Sequence, residues 1–321
     1  MDPTVWPRVA VVGAGAVGGY FGGMLARAGA HVTLIGRPAH VEAWERDGLI
    51  LDSVNFQETI RVAASTDVSA AYGADLVLFS VKTLDTESAA RLLANHVRSD
   101  ALIVDLQNGV DNVARMRAAA ALDPIAAVVY VASSMPGPGR IAHRGRGDLL
   151  IGDLHGRPAA SRPAALERVA GWFESAGVPC RVSDTIEADL WIKLITNAAL
   201  NAISAVARCP YGDIVRSAEP RETVRQLVEE CVAVARADGV ALPEHDFVQM
   251  VWRFAEAFPG VYSSTAQDLE RGKRTEIDAL NGFVVRRGVE LAVPTPVNQT
   301  LVSLVRLREA QYEPEAAAQD T

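Results

Sequence analysis

An α/β domain built on a parallel sheet, followed by an all-helical domain, is the fold class that this sequence predicts. Three observations predict it. Short apolar runs alternate with helical stretches through the first half of the chain, a Gly13-x-Gly15-x-x-Gly18 turn joins the first strand to the first helix, and near residue 183 the pattern changes to helices only. The length of 321 residues exceeds the usual size of one domain, so two are expected, over 1–183 and 184–321.

The elements follow in order. "RVAVVG" (8–13) reads as a strand, followed by the glycine-rich turn, a helix to about Gly29 and a second strand, "HVTLIG" (31–36). A looser β-rich stretch at 49–63 precedes "ADLVLFSV" (74–81), "ALIVDLQ" (101–107) and "IAAVVYV" (125–131). Their continuous apolar character suits parallel strands covered on both faces. "GRIAHRGRGDLLIGD" (139–153) has the pattern of an antiparallel hairpin appended to that sheet, and a helix is expected at 159–176. "GVPCRVSD" is a short strand ending at an N-cap pair, Ser183 and Asp184. Helices are then expected at 185–207, 220–238, 243–258, 264–272, 276–288 and 296–309, with "EPEAAAQDT" as a frayed tail.

Composition excludes several function classes. A net charge of -8 argues against a nucleic-acid partner and suits a soluble protein. The glycine-rich run 9–26 is a poor membrane span, and no membrane partner or leader is expected. Cys180, Cys209 and Cys231 are odd in number and widely spaced, which fits reduced thiols in a cytoplasm better than a disulfide framework or a zinc site. The six histidines show no metal-ligand spacing, so no metal is expected. Only Lys82, Lys193 and Lys273 among the 31 basic residues are lysines; the rest are arginines. Arginine stays protonated, whereas a buried lysine can have its pKa moved into a useful range.

The glycine turn points to a dinucleotide. Within "VVGAGAVGG" (11–19), Gly13, Ala14, Gly15, Ala16, Val17 and Gly18 form the segment where a pyrophosphate would face backbone N–H groups at a helix start. An NAD site usually carries an acidic residue after the second strand; here Arg37 follows it and no acid comes before Glu42. An arginine there can hold a 2′-phosphate, so NADPH/NADP+ is the expected cofactor. Lys82 in "SVKT" and Asn108 in "LQNG" fall just past two further strands, on the edge where open parallel sheets bind ligands.

The helix "DLWIKLITNAALNAISAV" (189–206) is apolar except for Lys193, Asn197 and Asn201, spaced every fourth residue. They form one stripe about 12 Å long, which suits the wall of a pocket; the competing reading is an interhelical hydrogen-bond ladder. In "SSTAQDLERGKRTEIDALNG" (263–282), Ser263 and Ser264 stand where a helix begins, with groups suited to an anion. Thr275 then reads as the cap of a further helix, in a capping box with Asp278, and Glu276 falls in its first turn.

Taken in order, GxGxxG, the arginine after the second strand, VK, QNG, K-x-x-x-N-x-x-x-N and S-x11-E resemble the ketopantoate reductase (2-dehydropantoate 2-reductase) family over essentially the whole chain. The resemblance implies a Rossmann-type N-terminal domain, a helical C-terminal domain of the 6-phosphogluconate dehydrogenase C-terminal-like kind, and a cleft between them. It further implies NADPH-dependent reduction of a small 2-oxo acid to a 2-hydroxy acid, as in pantothenate biosynthesis. By position, Lys193 would be the general acid, Asn197 and Asn201 would orient the substrate, and Ser264 would bind its carboxylate. Glu276 would organise the ternary site. Asn108 would sit between nicotinamide and substrate, with Lys82 and the Ala132 backbone on the cofactor side.

Two positions depart from the family pattern. "RCPYG" carries Tyr211, and "VYSS" carries Val261, where members that reduce ketopantoate commonly have asparagine. Both changes remove amide groups near the expected substrate end and leave the exact 2-oxo acid open. The alternatives are therefore a paralogue acting on another 2-oxo acid, an opine-type dehydrogenase joining it to an amine, and a noncatalytic NADP(H)-binding sensor. The long C-terminal helices could form the surface of a homodimer.

Overall fold

Alternating side chains along the apolar runs explain how the first half of the chain is assembled. In the computed structural model, which describes residues 6–154 and 162–311, strands β1 (Arg8–Val12), β2 (His31–Ile35), β6 (Leu76–Phe79), β7 (Leu102–Asp105), β8 (Ile125–Gly137) and β5 (Ala63–Ser65) pair in parallel. Their order across the sheet is β5-β2-β1-β6-β7-β8, a doubly wound arrangement that reverses direction between β1 and β6. Val9, Val11, Leu34, Leu76, Leu78 and Val104 face one core, with α1 (Ala16–Arg27) and α5 (Pro163–Ser175) over it. Ala10, Val12, Val77, Phe79 and Ile103 face the other, with α3 (Thr86–Ala94) and α4 (Asn112–Ala120). Both faces are buried, as continuous apolar strands require.

The 49–63 stretch resolves into separate short strands. β3 (Leu49–Asp52) and β4 (Gln57–Ile60) form a hairpin at one edge of the sheet, while β5 lies at the opposite edge beside β2. The expected 139–153 hairpin is corrected. Its first limb is β8 itself, which continues to Gly137 and pairs antiparallel with β9 (Arg140–Gly152). Gly139, at φ 71°, makes the turn, and β10 (Cys180–Val182) adds in parallel to β9. β7 stops at Asp105, short of the predicted Gln107, because the Asp105 carboxylate accepts the Gln107 N–H and turns the chain.

The chain divides into compact units over Met1–Ile186 and Glu187–Thr321. Among the described residues the second has helices and no strand: α6 (Ile186–Ala207), α7 (Tyr211–Ile214), α8 (Ala218–Ala237), α9 (Phe247–Ala257), α10 (Ser264–Glu270), α11 (Asn281–Glu290) and α12 (Pro296–Ala310). α6 is long and apolar enough to cross a membrane by composition, yet most of it is buried inside this unit. Leu194, Ile195, Ala198 and Ala202 of α6 are buried, as are Val228 and Cys231 of α8, Val251 of α9 and Val302 of α12. α9 starts four residues later than the predicted 243, because the Asp246 carboxylate caps it by accepting the Gln249 N–H.

The helix expected at 276–288 is also corrected. Residues 277–279 form a single 3₁₀ turn and α11 begins only at Asn281. Thr275 accepts the Ile277 N–H in a local turn rather than a capping box, and Asp278 is instead paired with Arg306 of α12 at 2.5 Å. Cys180 and Cys231 are buried, and burial pushes both thiols up to about 12. The C-terminal "EPEAAAQDT" lies outside the described residues.

Candidate active site

The turns at the carboxyl ends of β1 and β6 are shaped by glycines with different duties. Gly13 has φ 82°, and a Cβ there would stand 2.6 Å from the Val81 nitrogen. At Gly18 a Cβ would fall 2.1 Å from Ser80 Oγ, so α1 can pack this close to β6 only without one. The Ser80 hydroxyl donates to the Gly13 carbonyl at 2.9 Å and holds the turn. Gly15 differs: a Cβ there would meet nothing nearer than 3.8 Å. Among the described residues no packing calls for glycine at that position, and the space beside it is open. Ala14 is buried and donates its N–H to Ile35. α1 has no side-chain cap and no acidic residue in its first turn, so among the described residues the leading N–H groups of Ala16, Val17 and Gly18 lack a side-chain acceptor. Uncapped amides beside open space suit a pyrophosphate.

Around that turn stand the other predicted cofactor residues. Arg37 is exposed directly after β2, at the start of α2 (Pro38–Asp47). Lys82 is exposed just past β6, and Asn108 is half-buried past β7. Gln107, whose role the sequence did not reveal, ties these two loops together. Its amide donates to the Val81 carbonyl at 2.9 Å and to Thr86 Oγ1 at 2.8 Å. Arg115 of α4 adds a second brace, donating to the Thr83 carbonyl and to the Glu87 carboxylate, which it holds below the usual carboxylate range. Ala132 is exposed on β8, at a register shift against β9.

The other predicted residues belong to the helical unit and gather around α6. Lys193 and Asn197 are half-buried on that helix, and Asn201 is buried. Among the described residues, the Asn197 carboxamide has no hydrogen-bond partner, although it stands half-buried on a largely apolar helix. Interhelical hydrogen bonds do form here: Asn281 and Asn298 carry one set, and Asn201 of the stripe accepts from Tyr211 of α7. Asn281 donates to the Ala198 carbonyl and to Asn298 Oδ1, and Asn298 donates to Glu230 at 2.7 Å. The first of these bonds, with the Trp191–Phe283 edge contact at 5.7 Å, fastens the segment after half-buried Glu276 onto α6.

At the other end of the stripe, Ser263 and Ser264 divide their tasks. The Ser263 hydroxyl donates to the Asn201 carbonyl and caps α10 by accepting the Ala266 N–H. Ser264 is left exposed beside it. Tyr211, one of the two departures, is buried and donates its hydroxyl to Asn201 Oδ1 at 2.9 Å; burial raises its pKa. Val261, the other, is exposed, and its carbonyl accepts the Tyr211 N–H. One unit thus carries Lys193, Asn197, Asn201, Ser264 and Glu276, while Gly13–Gly18, Arg37, Lys82, Asn108 and Ala132 belong to the other.

Comparison with known proteins agrees over both units. Residues 9–156 match the family model described as Ketopantoate reductase PanE/ApbA, and residues 185–309 match its C-terminal companion. A 2-dehydropantoate 2-reductase of Halobacterium salinarum is 33% identical over 309 residues, covering 94% of this chain and 99% of the relative. The crystal structure of a PanE/ApbA family ketopantoate reductase from Ralstonia eutropha JMP134 is 49% identical with a TM-score of 0.89, covering 95% of this chain and 99% of that one. A 2-dehydropantoate 2-reductase structure from Geobacter metallireducens is 29% identical, TM-score 0.86, covering 94% and 99% respectively. On these matches and on its fold, the chain belongs to the ketopantoate reductase family.

Proposed function

We propose that this chain is an NADPH-dependent oxidoreductase that reduces a 2-oxo acid to a 2-hydroxy acid, with 2-dehydropantoate as its substrate, in the cytoplasm and for pantothenate biosynthesis. The observation that carries the reading is the α6 stripe: a half-buried lysine one turn from an asparagine whose carboxamide has no protein partner among the described residues. Relatives named 2-dehydropantoate 2-reductase support the choice of substrate.

The residues present fit the cofactor. Gly15 leaves room for its pyrophosphate, the first turn of α1 offers N–H donors, and exposed Arg37 suits a 2′-phosphate. When bound, NADPH supplies the hydride. Lys193 then does the acid work: negative charge grows on the ketone oxygen as C2 is reduced, and an ammonium stabilises that charge and delivers the proton. An arginine could not release it at neutral pH. Asn197 and Asn201 hold substrate oxygens along the same helix face, Ser264 takes the carboxylate, and Glu276 steadies the arrangement. Asn108 and Lys82 serve the nicotinamide side.

The test is NADPH oxidation by the purified protein with 2-dehydropantoate beside pyruvate, 2-oxoisovalerate and 2-oxoisocaproate. We expect 2-dehydropantoate to be preferred with kcat/KM above about 10⁴ M⁻¹s⁻¹. A second reading, reduction of a more apolar 2-oxo acid, is favoured by the missing amides at Tyr211 and Val261. A better rate on 2-oxoisocaproate would select it. Bound NADPH without turnover on any of them would overturn both readings in favour of a sensor.

A further inference from the structure

Among the described residues the Tyr211 hydroxyl has one hydrogen-bond partner, Asn201 Oδ1 at 2.9 Å, and Tyr211 itself is buried. A phenol buried this way needs an acceptor for its proton. Asn201 provides it only in one of its two amide orientations. Rotating the carboxamide by half a turn would bring the NH₂ group to the phenol and leave the phenolic proton without an acceptor. Backbone bonds hold the pair in register. Arg208, at φ 52°, reverses the chain after α6, and the Tyr211 and Gly212 N–H groups donate to the Val261 and Pro259 carbonyls. The Asn201 carbonyl is fixed in turn by Ser263 Oγ at 3.0 Å. The Asn201 amide nitrogen has no acceptor among the described residues, nor is it a fully buried, unsatisfied atom.

We propose that Tyr211 is a positioning residue: by taking Asn201 Oδ1 it turns the Asn201 side chain into a dedicated hydrogen-bond donor to an oxygen of the bound 2-oxo acid. The assignment rests on the reading of this chain as a 2-oxo acid reductase. It gives the two asparagines of the stripe different tasks. Asn197 is free to donate or accept, whereas Asn201 can only donate and so selects an anionic or carbonyl oxygen at its end of the site.

Steady-state kinetics of the full-length protein with NADPH and 2-dehydropantoate test it, comparing wild type, Tyr211→Phe and Asn201→Asp. Tyr211→Phe keeps the ring and lets the amide rotate, so KM rises about threefold, with the loss falling on KM rather than kcat. Asn201→Asp keeps an acceptor for the phenol but presents an oxygen where the N–H stood, so KM rises about 100-fold, the scale of losing a hydrogen bond to a charged group. That defect shrinks as pH falls, because protonation gives the new carboxyl a donor again. Melting temperature and NADPH affinity are read alongside and stay near wild type. An Asn201→Asp variant with wild-type KM, or with a defect indifferent to pH, overturns the assignment. So does a Tyr211→Phe variant whose loss falls wholly on kcat. If the wild type reduces no 2-oxo acid, the underlying reading fails, and the assignment falls with it.

Discussion

A lysine on an apolar helix has few reasons to be there in a chain that uses arginine for 28 of its 31 basic positions. Lys193 is half-buried on α6, where a group able to give up a proton differs from one that only carries charge. If it is the general acid, Lys193→Ala lowers kcat by roughly 10²- to 10⁴-fold while NADPH affinity, measured by fluorescence titration, stays within about twofold. Loss of cofactor affinity with normal turnover at saturation would sink that role. Arg37 makes the complementary prediction. It is exposed, so its worth to a 2′-phosphate lies at the lower end for a charge-assisted bond, and Arg37→Gln should lower kcat/KM for NADPH about tenfold. The same variant should leave kcat/KM for NADH unharmed; equal losses with both cofactors would remove Arg37 from the phosphate site. These positions stand out as candidates in the sequence because each breaks a local rule of composition or motif. The Tyr211–Asn201 bond was not, since it depends on the chain reversing at Arg208, a left-handed residue that no glycine or asparagine announces.

At the level of elements, the strand–turn–helix opening was readable because three physical demands converge on glycine there, and the structure separates them. Gly18 is required by packing, with Ser80 Oγ 2.1 Å from where a Cβ would be. Gly18→Ala should therefore force α1 away from β6 and cost about 1–3 kcal/mol, seen as a melting temperature lower by several degrees. Gly15 has φ -84° and open space around it, so the protein itself tolerates a methyl group. Gly15→Ala should melt like wild type yet bind NADPH much more weakly, because the added carbon occupies the pyrophosphate's room. Unfolding of Gly15→Ala, or undiminished NADPH binding by it, would show that the glycine serves packing instead. Less was legible at the sheet's edges. β3, β4 and β5 are three or four residues long, and their placement on opposite edges follows from pairing with distant strands rather than from any local pattern. The 3₁₀ turn at 277–279 was hidden for a similar reason: Asp278, which matched a capping box, is drawn to Arg306 of α12.

For the molecule as a whole, the change of pattern near residue 183 announced two kinds of architecture, and the chain divides into compact units at Ile186 and Glu187. The helical unit was readable as helices but not in its wiring. Asn281 meets Ala198 across 83 residues, and Glu230 meets the start of α12 across 67. No sequence window contains such pairs. The division has a thermodynamic consequence for the cofactor. Gly13–Gly18, Arg37, Lys82 and Asn108 all lie in the unit of residues 1–186, so stabilisation by a dinucleotide enters through that unit. A ligand at about 100 times its Kd adds about 2.7 kcal/mol to whatever it binds, which for a domain of this size raises the melting temperature by roughly 5–10 °C. Thermal unfolding with and without NADP+ should show that rise in the wild type and lose it in Gly15→Ala, whose fold is otherwise intact. Hydrogen exchange under the same conditions should place the strongest added protection at the Gly13–Gly18 turn and the ends of β6 and β7. Added protection centred on α8 or α12 instead would mean that the dinucleotide site is not the glycine turn.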